Sequence, residues 1–206
     1  VRTASAGAVA AKYLAPKNVT RIGVFGTGIQ GSMQVQYLNT IIECKDVIAW
    51  DIDDRNLTRY KTEMEAKGYS VETTRNASDV ASTCNLIITA TPATTPVLSN
   101  MIINKGTHIT AMGSDTSEKN ELEPGILKRA DIVVADSISQ CMERGEIYQA
   151  IRAGVLDKDR VVELGNVISG KSPRRISDNQ ITVTDLTGVA VQDIQIAKAI
   201  FLKRDN

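Results

Sequence analysis

The sequence predicts an α/β protein with a doubly wound parallel sheet. Three observations predict it. Short apolar, β-branched runs alternate with amphipathic segments along the whole chain, among them Ile22–Phe25, Val47–Trp50, Asn85–Thr91, Gly106–Gly113, Ile132–Ala135 and Gln180–Asp185. The first run ends in Gly26-Thr27-Gly28-Ile29-Gln30-Gly31, a G-x-G-x-x-G turn that opens a helical pattern. The second run ends in Asp51, twenty residues past Gly31, the expected place for a ribose-binding acid at a strand tip. Together these read as the first half of a Rossmann dinucleotide-binding unit. Gly26 permits the tight turn, Gly28 lets the backbone approach a pyrophosphate, and Gly31 lets helix and strand pack closely. The diphosphate would sit on unpaired N–H groups at the positive helix end. The competing reading is a structural glycine turn beside a surface Asp.

The remaining elements follow in order. Thr3 to Leu14 is rich in Ala with an apolar face and is closed by Pro16, which predicts a helix leading into the first strand. The helix after the glycine turn runs from Ile29 to about Glu43. Asp53-Asp54 starts another, to about Lys67, with Gly68 as its C-cap. Tyr69 to Glu72 is a short strand, and Asn76 or Ser78 caps a brief helix. The strand Asn85–Thr91 ends in Thr91-Pro92-Ala93-Thr94-Thr95-Pro96. Such hydroxyls belong to the carboxyl edge of a parallel sheet, where ligands bind, or to a polar loop stiffened by two prolines; both readings stand. His108 falls inside the Gly106–Gly113 strand and reads as a packed or edge residue rather than a catalyst. Ser114 to Lys119 forms a polar loop. Ser139 to Ala153 is helical, broken near Gly145, and Val161 to Ile168 reads as apolar and extended. Thr187-Gly188 leads from the last strand into a final helix, Val189 to about Leu202.

Composition narrows the function classes. A chain of 206 residues suits one domain, or one and part of another. Lys plus Arg and Asp plus Glu are both 24, so the net charge is zero, and no basic stripe with interleaved aromatics points to nucleic acid. Cys44, Cys84 and Cys141 form no C-x-x-C and no metal spacing, and with a single His no histidine-based zinc site or Ser-His-Asp triad is assembled. A reduced, cytoplasmic setting is expected, with no membrane segment and no metal. The chain opens at Val1 without an initiator Met, which suggests a fragment or a processed piece.

A family resemblance enters through motifs in fixed order. They are Arg2-Thr3-Ala4, Gly26-x-Gly28-x-Gln30, Trp50-Asp51-Ile52-Asp53, Gly113-Ser114-Asp115 with Lys119 and Glu121-Leu122, Gly145-Glu146-Ile147, Glu163-Leu164-Gly165 and Asp185-Leu186-Thr187-Gly188. This set resembles the ornithine cyclodeaminase/mu-crystallin family, which also holds archaeal-type alanine dehydrogenases, ketimine reductases and ectoine-utilisation proteins. The resemblance covers Arg2 to about Ile200. It implies residues 1–206 to be the dinucleotide-binding domain with its returning C-terminal helix. It also implies an N-terminal segment outside this sequence that forms most of a substrate and dimerisation domain, supplies a Lys near the substrate and makes a homodimer.

The resemblance assigns roles residue by residue. Arg2 falls on the Arg that holds the substrate carboxylate and approaches the cofactor, a task suited to a guanidinium fork. Asp115 falls on the catalytic acid/base, which also contacts substrate, and Thr187 would face substrate. The implied cofactor contacts are Arg2, Thr3, Gly26, Gly28, Ile29, Gln30, Asp51, Thr89, Thr91, Met112, Gly113, Ser114 and Lys119. The family usually has Pro-Gly where Ser117-Glu118 stands, and often Ser where Leu186 stands. Asp51 argues for NAD over NADP, since a carboxylate accepts from both ribose hydroxyls and repels a 2′-phosphate; Arg55 follows four residues later. The implied chemistry is hydride transfer at Cα of a small L-amino acid or imino acid. The reading leans to ornithine-cyclodeaminase-type deamination. The alternatives are an NAD-dependent amino acid dehydrogenase or imine/ketimine reductase, and a non-catalytic crystallin-like binding protein.

Overall fold

The computed structural model describes residues 1–204. An eight-stranded sheet, parallel throughout, forms its centre. In chain order the strands are β1 (Ile22–Phe25), β2 (Asp46–Trp50), β3 (Ser70–Thr74), β4 (Leu86–Thr89), β5 (His108–Ala111), β6 (Ile132–Ala135), β7 (Val161–Glu163) and β8 (Thr182–Asp185). Their spatial order is β3-β2-β1-β4-β5-β8-β6-β7. The order reverses between β1 and β4, the point at which doubly wound sheets bind ligands beyond the strand carboxyl ends. Register there is Phe25 against Trp50 on one side and Thr89 on the other, so three strand ends finish level.

The inner strands are apolar because both faces are covered. One face presents Phe25, Ile48, Ile87, Ile109, Val133 and Val183. It packs on α4 (Ala77–Thr83), α5 (Gly125–Arg129) and α7 (Glu146–Arg152). The other face presents Val24, Ala49, Leu86, Ile88 and Val134. It is covered by α1 (Arg2–Leu14), α2 (Ile29–Leu38), α3 (Asp54–Glu65) and α8 (Leu164–Ile168). The short α6 (Ile138–Cys141) follows β6, and α9 (Ala190–Arg204) follows β8. Small residues let α1 lie close on α2: Gly7 has no room for a Cβ beside the buried Gln34, whose Nε2 donates to the Thr3 carbonyl at 2.9 Å.

Most predicted elements stand within a few residues of their expected bounds; two differ. The helix after the glycine turn ends at Leu38, five residues short of Glu43, and the chain unwinds through Asn39-Thr40. Val161–Ile168 is not one extended run. It is three strand residues followed by α8, and the apolar positions that look continuous serve a strand face and then a helix face. Asn76 is the cap of α4, accepting from Ser78 N at 3.1 Å. Gly145 breaks the Ser139–Ala153 segment with φ of 93°. His108 is fully buried in β5, its ring nitrogens on the hydroxyls of Thr182 (2.8 Å) and Thr110 (3.1 Å). Burial depresses it to about 3, with Arg175 acting in the same direction, so it is a neutral packing residue. Among the described residues no helix is long and apolar enough to cross a membrane. The three cysteines are free thiols.

Candidate functional site

The glycine turn lies directly past the end of β1, and its geometry separates three glycine roles. Gly26 takes φ of 91°, a conformation that disfavours a side chain, and a Cβ there would lie 2.6 Å from the Ala90 carbonyl. A Cβ on Gly31 would collide with the Gly26 carbonyl. Gly28 differs. Its φ of −75° suits any residue, and a Cβ would meet nothing within 4 Å. Nothing in the protein itself requires glycine there; a group lying against the turn would. Gly28 is also the N-cap of α2 and offers no side-chain acceptor, so the first N–H donors of the helix are left for solvent or a ligand. Ile29 stands 78% exposed at the same rim, and Gln30 is exposed beside it.

Asp51 is placed by β2 against this turn. Its Oδ2 accepts from Thr27 N (2.9 Å) and Thr27 Oγ1 (2.6 Å), and its Oδ1 from Asp53 N (3.0 Å). Burial pushes its pKa up, but the bonds from Thr27, Asp53 and Asn56 outweigh it and hold Asp51 below the usual carboxylate range. Arg55 pairs with the α3 N-cap Asp53 at 2.9 Å. These residues fit a dinucleotide: an open glycine, free helix donors and an ionised acid lie together past the ends of β1 and β2, where the strand order reverses.

The adjoining strand ends carry the rest of the predicted set. Thr89 closes β4 and Thr91 lies two residues past it, Met112 to Asp115 follow β5, and Thr187 follows β8. Parallel strands bring all of these, with the glycine turn and Asp51, to the sheet's carboxyl edge. Asp115 is exposed, and its Oδ1 accepts from Lys119 Nζ at 2.6 Å. Arg2 begins α1; its guanidinium lies beside Gly188 and its Nε pairs with Asp193 Oδ1 at 3.1 Å. Thr3 enters through its carbonyl, held by Gln34. Met112 is buried against Leu186 and Ala10.

The predicted hydroxyls turn inward, onto carboxylates to which the sequence reading gave no site role, although Glu121 and Glu146 stand in the motifs that carry the resemblance. Glu121 accepts from Thr89 Oγ1 (2.7 Å), Thr91 N (2.6 Å), Thr91 Oγ1 (2.7 Å) and Gly113 N (2.8 Å). Glu146 accepts from Ser114 Oγ, Glu121 N (2.8 Å) and Leu122 N (2.9 Å). Thr187 Oγ1 donates to Asp136 Oδ1 (3.1 Å), whose Oδ2 takes Gly188 N (2.6 Å). Burial raises Glu121, raises Glu146 to about 7 and raises Asp185 well above the carboxylate range. Acids set beside apolar residues, as in Glu121-Leu122 and Glu146-Ile147, were the available signal. Among the described residues no group of three or more His, Cys, Asp or Glu is arranged to hold a metal ion.

An all-parallel sheet with an open glycine turn and an acid at its switch point defines a doubly wound, Rossmann-type protein. Comparison with known proteins narrows the class. The profile of the ornithine cyclodeaminase/mu-crystallin family matches residues 1–205, and the chain belongs to that family. It is similar to an uncharacterized cyclodeaminase of Sinorhizobium fredii, 36% identical over 207 residues, covering 100% of this chain and 62% of the relative. Its structure is similar to an archaeal alanine dehydrogenase dimer with bound NAD (TM-score 0.93, 35% identity, 99% of this chain and 64% of the other). It is also similar to the iminosuccinate reductase of Paracoccus denitrificans in complex with NAD+ (TM-score 0.87, 35% identity, 97% and 61%). The chain thus spans about three fifths of the length of the proteins it matches.

Proposed function

We propose that this chain is the cofactor-binding part of an NAD-dependent enzyme acting at the Cα amine or imine of a small L-amino acid. The observation that carries the reading is Gly28: open and unstrained, it sits between free helix donors and the ionised Asp51 at the switch point, so its lack of a side chain is explained by a ligand. When bound, the nicotinamide would supply or accept a hydride. The chain's own groups would do the rest. Gly26 to Gly31 would hold the diphosphate and Asp51 the ribose hydroxyls. Arg2 would hold the substrate α-carboxylate, exchanging its bond to Asp193 for a bidentate one. Asp115 would take a proton from the amine or return one to the imine, with Lys119 holding its Oδ1 by an ion pair. Thr187, fixed by Asp136, would line the substrate side.

Two outcomes share this chemistry. In a cyclodeaminase a side-chain amine attacks the imine, ammonia leaves and the cofactor ends unchanged. In a dehydrogenase or imine reductase the hydride transfer is net. The similarity to NAD-bound alanine dehydrogenase and iminosuccinate reductase supports net oxidoreduction, whereas the Sinorhizobium relative supports deamination. Absorbance at 340 nm with full-length protein, NAD and a panel of amino acids separates them. Steady NADH formation marks the dehydrogenase; ammonia without NADH marks the cyclodeaminase; neither product from any substrate sinks the proposal. A dimer of the archaeal type is part of the same reading, tested by sedimentation.

A further inference from the structure

We propose that Glu121 and Glu146 are positioning residues of this site, two buried carboxylates that clamp the loop carrying Asp115 to the end of the neighbouring strand. The inference rests on the reading of these strand ends as the cofactor and substrate site. Neither side chain reaches solvent: Glu121 is 0% exposed and Glu146 1%. Neither can therefore touch a ligand, and their effect must pass through the groups they hold.

The bonds divide by oxygen atom. Glu121 Oε1 takes both Thr91 donors, from the β4 end. Its Oε2 takes Thr89 Oγ1 and, across the gap to the β5 end, Gly113 N. Glu146 Oε1 takes Ser114 Oγ and the main-chain N–H of Glu121 itself. The two residues immediately before Asp115 are thus each tied to a different buried carboxylate, and the Glu146 carboxylate also holds the main chain of Glu121. Gly113 completes the clamp: a Cβ there would lie 2.5 Å from the Glu121 carboxyl carbon, with the Thr91 carbonyl nearer still. The segment holding Glu121 is fixed in turn, since Asn120 N donates to Ala93 O (2.9 Å) and Val97 N to Glu121 O (2.8 Å). A pair of packed apolar residues would be cheaper to bury, but would not aim donors from two strand ends at one point.

The donor set makes the proposal testable by an isosteric change. Glu121→Gln places an NH2 against either Thr91 N or Gly113 N, whichever way the amide turns. Hydroxyls can reverse and accept; backbone N–H groups cannot. One main-chain bond is therefore lost. In the full-length protein, Glu121→Gln is expected to speed amide exchange in segment 89–93 or 112–115 by about 10- to 100-fold, as loss of a charge-assisted bond implies. Exchange in segment 26–31 should stay within about twofold, since no Glu121 bond reaches it. The kcat should fall about 10- to 100-fold, with KM for the amino acid or imine little changed, as expected when alignment of the reacting groups is lost. Unchanged exchange in both segments overturns the proposal. So does faster exchange with unchanged kcat, which would leave the pair a merely structural role. If wild-type protein bound no NADH, the cofactor reading would fail, and exchange would decide the clamp by itself. Should Glu121→Gln not fold, Thr89→Val removes one neutral donor and keeps the shape; it should give a change of about threefold in the same segments and in kcat, and no change in either overturns the clamp.

Discussion

Replacing Gly28 and Gly31 by alanine separates what the glycine turn does for the fold from what it does for a ligand. At Gly28 an added Cβ meets no atom within 4 Å and the backbone already has φ of −75°. Alanine is a poorer N-cap than glycine by a few tenths to about 1 kcal/mol, and the stiffer unfolded chain returns about 0.4–1 kcal/mol. Stability should therefore change by less than about 1 kcal/mol. At Gly31 the Cβ collides with the Gly26 carbonyl, and Gly26, at φ of 91°, cannot swing aside. That overpacking should cost about 1–3 kcal/mol. Binding should show the reverse pattern at Gly28. A methyl there stands where the diphosphate must approach, and loss of one charge-assisted bond of about 1.5–3 kcal/mol weakens NADH binding by about 10- to 150-fold. Guanidinium midpoints and NADH fluorescence titrations read the two effects. A Gly28→Ala protein that is stable and binds NADH within threefold of wild type would refute the reasoning, because nothing would then lie across the turn.

The other predictions concern the acids. Wild-type protein should prefer NADH over NADPH by at least about tenfold, or roughly 1.4 kcal/mol, and Asp51→Ser should narrow that gap by weakening NADH; parallel titrations with the two cofactors check it. Glu146 is raised by burial to about 7, above its ordinary 4.5. The folded state thus holds its proton more tightly, and the stability this contributes is complete below about pH 4.5 and is lost as pH rises through about 7. The stability of wild type relative to Glu146→Gln should accordingly be greater at pH 5 than at pH 8, by up to about 3 kcal/mol in chemical denaturation; a pH-independent difference would contradict the burial argument. Asp193→Asn should free the Arg2 guanidinium from its partner at 3.1 Å and change KM for the amino acid or imine severalfold while leaving NADH affinity unchanged. An altered NADH affinity with unchanged KM would place Arg2 on the cofactor side instead.

Local patterns carried much of this protein, and long-range pairing carried the rest. Ile132–Ala135 matches its predicted strand residue for residue, because three β-branched residues in a run too short for a helix, set between Asp131 and Asp136, decide for a strand. Val161–Ile168 misled because a buried strand and a short helix share the same apolar composition; the change of period after Glu163 is too brief to register. The glycine turn and Asp51 were legible since their spacing is local and fixed by one strand–helix–strand unit. Glu121 and Glu146 were not. Charged side chains are ordinarily exposed, and what buries these two is a donor set from strand ends up to 32 residues away in sequence. Thr89, Thr91 and Ser114 were picked out for cofactor contact, and the destination of their hydroxyls, onto those two carboxylates, depends on a pairing between loops that no single window displays.

Turnover of Asp115→Asn beside wild type, followed at 340 nm and by ammonia release in the full-length protein, tests the central claim most directly. Asp115 is exposed, and among the described residues its Oδ1 is hydrogen-bonded to Lys119 alone, so the isosteric amide should leave folding and NADH binding intact. The account predicts NADH-linked or ammonia-releasing turnover of a small amino acid or its imine by wild type, and a loss of about 100-fold or more in the variant, the scale of a removed general acid/base. Full turnover by Asp115→Asn would contradict it.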